Sequence, residues 1–72
     1  MSYAKLRGRI KEKFGTQKAF AEAMGMSTVS LSKRLSGKLD WKTPEIVRAC
    51  ELLEIPLEEN ALYFFMKKVK IS

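Results

Sequence analysis

The sequence predicts an all-α fold of five short helices, and three observations carry that prediction. Apolar residues recur at helical spacing in successive segments. Gly15, Gly25 and Gly37, and the pair Thr43-Pro44, punctuate those segments where helices stop and start. The chain has 72 residues with 46% hydrophobic and 10% aromatic content, enough for one core and one domain over residues 1–72. A chain of that size buries only about 60% of its unfolded surface, so the core must be economical.

Tyr3, Leu6, Ile10 and Phe14 define the inner face of a first helix over residues 3–14. Lys5, Arg7, Arg9, Lys11 and Lys13 occupy its other faces and read as a solvated charged surface. Gly15 suits a C-cap, where a left-handed backbone is needed. Thr16 caps a second helix over 16–24, with Phe20, Ala21 and Met24 inward and Gly25 at its end. Met26 reads as core. Ser27 offers its hydroxyl to the free amides of a third helix over 27–36, which Leu31 and Leu35 anchor inward. Thr43, as cap, Pro44 and Glu45 open a fourth helix whose apolar set runs Ile46, Val47, Ala49, Cys50, Leu52 and Leu53. Pro56 helps to stop it, and a short fifth helix follows near 57–63. The segment Phe65 to Ile71 partly alternates apolar and basic residues and reads as a short strand or extended arm.

The net charge of +6 is unevenly spread. Residues 1–38 carry nine Lys/Arg against Glu12 and Glu22, a net +7, whereas residues 39–60 carry Lys42 and Arg48 against six acids, a net −4. Lys67, Lys68 and Lys70 return the last twelve residues to +3. The basic half coincides with the two helices that flank Gly25, and a basic helix pair of this kind favours a nucleic-acid partner.

Several function classes are disfavoured. No run of about 18 apolar residues occurs, so no membrane span is expected. The stretch MSYAKLRGRIKEKF lacks an apolar segment followed by a cleavage site, so no secretion signal is read there. Cys50 is single and sits among apolar residues, which fits a packing role in a reducing cytoplasm. The chain has no histidine, which leaves no zinc site, no expected cofactor and no usual general base. An enzyme is not expected.

The segment from Gln17 to Gly37, QKAFAEAMGMSTVSLSKRLSG, reads as a helix-turn-helix. Ala21 provides the small residue that a close helix crossing needs, and Gly25 the turn. With Leu31 and Leu35 inward, the outward face of the third helix carries Thr28, Val29, Ser30 and Lys33 as candidates for base edges. Gln17, Lys18, Ser27, Ser32, Ser36, Lys38 and Lys42 are candidates for backbone phosphates. Ser27, Thr28 and Ser36 also have a purely structural reading as caps and turns, and for Ser27 capping is the main role.

At these residues the chain resembles the helix-turn-helix family of the lambdoid phage Cro and CI repressors. Gln17, Phe20-Ala21, Gly25, Ser27, Leu31 and Gly37 carry the likeness, and WKTPEIVRACELLEIP and the later Tyr63-Phe64-Phe65 extend it along the chain. Arg34-Leu35 departs from the family, many of whose members have an apolar residue followed by an acid there. The resemblance implies a five-helix lambda-repressor-like domain that shuts off transcription by binding a double-stranded DNA operator in the bacterial cytoplasm. The third helix would lie in the major groove, and a homodimer would read half-sites roughly 34 Å apart. Within the run Leu62 to Met66 and the tail beyond it, Phe64, Met66, Val69 and Ile71 are the dimer-interface candidates. Leu62 and Phe65 read instead as closing the monomer core. The resemblance also admits an antirepressor that binds a partner phage repressor through the same surface, and, third, a non-specific nucleic-acid binder.

Overall fold

The computed structural model describes residues 3–64. Its order is α1 (Ala4–Phe14), α2 (Gln17–Met24), α3 (Thr28–Leu35), α4 (Thr43–Leu53), a 3₁₀ turn (Leu57–Glu59) and α5 (Asn60–Phe64). Among the described residues the structure is all-α with five α-helices and no strand. The expected strand or arm lies outside them. No described helix is long and apolar enough to cross a membrane.

Helices α1 to α4 bury most of the residues their periodicity nominated, while Tyr3, Phe14, Met24, Val47 and Leu52 are only partly buried. Leu6 and Ile10 of α1, Phe20 and Ala21 of α2, Leu31 and Leu35 of α3, and Ile46, Ala49, Cys50 and Leu53 of α4 form one core with Ile55 and Phe64. Ala21 is buried on the inner face of α2, the helix that packs on α3. Phe14 meets Phe20 edge-on at 5.2 Å between ring centroids, tying α1 to α2. Burial raises the Cys50 thiol pKa above its ordinary value, in keeping with a packing cysteine.

The C-terminal aromatic run is arranged differently from the sequence expectation. Phe64, a dimer-interface candidate, is buried in the monomer and meets Trp41 edge-on at 5.0 Å. Leu62, expected in the core, is 52% exposed. A single short helix can turn only one face inward, and in α5 that face belongs to Phe64, which puts Leu62 outside. Met66, Val69, Ile71 and Phe65 lie outside the described residues.

Helix ends show a second departure, and here the arginines matter more than their spacing suggested. The last carbonyls of a helix have no partner within it. Arg7 of α1 donates to the Leu35 carbonyl at the end of α3 at 3.1 Å. Arg9 donates to the Leu53 and Glu54 carbonyls at the end of α4, both at 2.9 Å. Arg48 of α4 donates to the Ala23 carbonyl in the last turn of α2 at 3.3 Å. Arg7 and Arg9 therefore clamp helix ends, with Arg9 half-buried and Arg7 still exposed on the charged face. Each also brings positive charge to the negative end of a helix dipole.

Glu54 is held at the same junction. It ends α4 in the left-handed region at φ 58°, where glycine is the usual residue. That backbone costs a side-chain-bearing residue about 1–2 kcal/mol. Arg9 on its carbonyl and Lys13 on its carboxylate at 2.9 Å offset the cost. The start of α4 also shifts by one position. Lys42 rather than Thr43 is the cap residue, because the Glu45 carboxylate reaches back to accept the Lys42 amide at 2.9 Å.

Two substitutions test this packing. Gly8 lies mid-helix in α1, and a methyl added there meets nothing within 4 Å. Gly8→Ala should stabilise the domain by about 0.5–1 kcal/mol, read from chemical denaturation. Ala21→Leu should destabilise it by about 1–3 kcal/mol by overpacking the α2–α3 crossing. Wild-type stability in that variant would show that the two helices do not cross there.

Candidate functional site

Local chemistry sets the rotation of α3. The Ser27 Oγ accepts from the Ser30 amide at 3.0 Å and starts the helix, and Thr16 does the same for α2 through Ala19 at 3.1 Å. Gly25, at φ 79°, turns the chain between them. Leu31 and Leu35 are both fully buried, so the opposite face must point to solvent. That face holds Thr28, Val29, Ser32 and Lys33, all exposed, and Val29 is 64% exposed. Leu35, not Arg34, is the inward anchor at the end of α3.

The chain then folds back on α3. Gly37 adopts φ 86°, and the Lys38 and Leu39 amides both donate to the Lys33 carbonyl, at 2.9 and 3.2 Å. The Ser36 hydroxyl donates to the same carbonyl at 3.1 Å. Lys33, Ser36, Lys38 and Leu39 are thereby brought to one end of the helix. The Ser36 hydroxyl is engaged as a local cap in this arrangement.

Arg34 has the most constrained side chain on α3. Its guanidinium forks onto Glu45 of α4, with Nε to Oε1 at 3.0 Å and Nη2 to Oε2 at 2.8 Å. Its remaining nitrogen donates to the Ser30 carbonyl at 3.2 Å and to the Ser30 hydroxyl. Ser30 is therefore half-buried and tied into the helix, although its position on α3 had nominated it as a base reader. The Arg34 fork, aided by the Lys42 amide, holds the Glu45 carboxyl below the usual carboxylate range, against the upward push of burial. Nothing in the local sequence pattern announces this pair, because the partners lie eleven residues apart on different helices.

The other phosphate candidates sit apart from this cluster. Gln17 is half-buried at the first position of α2, with Lys18 exposed beside it. Gln17 lines an open cleft of about 250 Å³ together with Arg7 and Lys11 of α1. Lys42 is exposed next to the Arg34–Glu45 pair. The structure thus divides the candidates into the exposed α3 face with its C-terminal reversal, and a separate polar edge where α1 meets α2.

The Arg34–Glu45 pair gives a signed pH expectation. A carboxyl depressed in the fold contributes stability above its unfolded pKa and loses it as pH falls through the folded value. Stability should therefore decline on acidification below the ordinary carboxylate range. Glu45→Gln should cost about 1–3 kcal/mol at neutral pH and flatten that decline, as read by thermal melts across pH. Some decline should survive in the variant, because Lys13 also holds the Glu54 carboxyl low.

No curated protein sequence matches the chain. Among solved structures, the chain is similar to the modulator of repression (MOR) of the temperate bacteriophage TP901-1 from Lactococcus lactis, determined in solution. The two are 43% identical, with 96% of this chain and 93% of that one covered, at a TM-score of 0.82. The five-helix architecture is thus that of a small helical phage protein. A family model described as "Protein of unknown function (DUF739)" matches residues 1–67, and the chain belongs to that family.

Proposed function

We propose that this protein is an antirepressor, which binds a phage repressor and blocks or remodels its contacts with operator DNA. The likeness to the TP901-1 modulator of repression carries the reading, since 43% identity over 96% of the chain goes well beyond a shared fold. In this reading the exposed α3 surface meets a protein, and the chain acts by binding without catalysis or a cofactor.

The chemistry of α3 supports the same conclusion. Direct readout of bases relies most on bidentate donors, with arginine on guanine and asparagine or glutamine on adenine. Arg34 is the one arginine on α3, and Glu45 holds it inside the domain. The helix carries no asparagine or glutamine. Thr28, Val29, Ser32 and Lys33 remain, and one lysine among short side chains gives little sequence discrimination.

The second reading is the Cro-like one, in which α3 enters the major groove of an operator. It is favoured by the basic N-terminal half and by the exposed Thr28, Val29 and Lys33 with Gln17 at the start of α2. A homodimer on DNA would then act in the lysis–lysogeny switch inside the bacterial host. Lys18, Ser27, Ser32, Ser36, Lys38 and Lys42 would contribute affinity and salt dependence through phosphates.

A paired titration separates the readings. The purified chain is titrated against the repressor encoded in its own genome and against a random duplex pool, at about 150 mM salt. The antirepressor reading expects a complex with the repressor, and duplex binding no tighter than the about 1–100 µM of non-specific contacts. Enrichment of a two-half-site duplex without repressor binding would transfer the function to operator recognition.

A further inference from the structure

We propose that Leu39, with Val29, Lys33 and Lys38, docks a protein surface that has an apolar centre and an acidic rim. This docking surface presupposes the antirepressor reading and identifies the part of the partner it engages. Val29 is 64% and Leu39 41% exposed, and neither packs against the core of the domain. Val29 lies one turn before Lys33 on α3, which puts both on one face. The reversal at Gly37, with the Lys38 and Leu39 amides on the Lys33 carbonyl, carries Leu39 to the end of the same helix. The result is two apolar side chains separated and flanked by lysines.

A duplex matches only half of this surface. Recognition helices meet base edges with their N-terminal residues, and there Val29 could touch a thymine methyl. Leu39 lies beyond the C-terminal end of α3, where a duplex offers sugar and phosphate. A protein surface can cover both apolar side chains and remove their area from water. Lys33 and Lys38 then select the sign of the partner's rim, because like charges brought together across an interface are strongly disfavoured. The operator-gripping face of any repressor is itself basic, since it neutralises phosphates. The complementary surface is therefore an acidic face of the repressor, separate from its operator-reading face.

Binding of full-length variants to the repressor from the same genome, and to a random duplex, tests the assignment. Leu39→Asp should lower repressor affinity at least tenfold while duplex binding changes less than twofold. Lys38→Glu should weaken the repressor complex several-fold, and the wild-type complex should weaken as salt rises. Circular dichroism monitors folding, and Leu39→Ala, which keeps an apolar side chain, replaces Leu39→Asp if the latter unfolds, with a several-fold loss expected. If the wild type binds repressor and the Leu39 and Lys38 variants bind equally well, the docking surface is wrong and the antirepressor reading stands. Equal loss of repressor and duplex binding in the folded Leu39 variant would also overturn it. If the wild type does not bind repressor at all, the antirepressor reading fails and the docking surface with it.

Discussion

The fold depends on how five short helices dispose of their unpaired C-terminal carbonyls. Helices of five to eleven residues leave a large share of their backbone groups at the ends. Here the ends of α2, α3 and α4 are closed by arginines reaching across from another helix: Arg48, Arg7 and Arg9. Each bond satisfies a carbonyl and also pins two helices at a chosen angle. A lysine could bring the charge, but the planar guanidinium can serve two carbonyls at once, as Arg9 does on Leu53 and Glu54. In a domain with so small a core, such cross-links share the work of orientation with the apolar contacts.

Arg34 extends this pattern and carries it into function. By forking onto Glu45 it locks the last turn of α3 to the first turn of α4. The same contact withdraws a bidentate donor from the surface that a DNA-reading helix would present. All four arginines of the chain thus bond to another part of the fold, and the remaining positive charge of α3 and its flank belongs to lysines. Lysine is a compact, hydrated point charge, suited to phosphate or carboxylate rims more than to base recognition.

That division of labour fits the likeness of the chain to the TP901-1 modulator of repression. Under the proposed antirepressor reading, exposed Val29 and Leu39 would supply apolar area to a partner, with the lysines setting the sign of its rim. The acidic residues 39–60 balance the basic half in sequence but are partly consumed in structure, since Glu45 pairs with Arg34 and Glu54 with Lys13.

Local pattern was enough to read the helices α1 to α4 and the side each turns to the core. Periodicity alone nominated Leu6, Ile10, Phe20, Ala21, Leu31 and Leu35, because burial on a helix repeats every 3.6 residues and leaves a local signature. Glycines and hydroxyl caps placed the boundaries of α2 and α3 for the same reason: their chemistry acts within one turn. The exposed α3 face, including Val29, was legible once Leu31 and Leu35 were assigned inward. Tertiary structure decided what depends on distant partners. The roles of Arg7, Arg9, Arg34 and Arg48, and the exchange of Phe64 for Leu62 in the core, follow from contacts between separate parts of the fold. Spacing along the chain carries no trace of them, because a guanidinium on one helix and a carbonyl or carboxylate on another meet only after the core has set the angle between them.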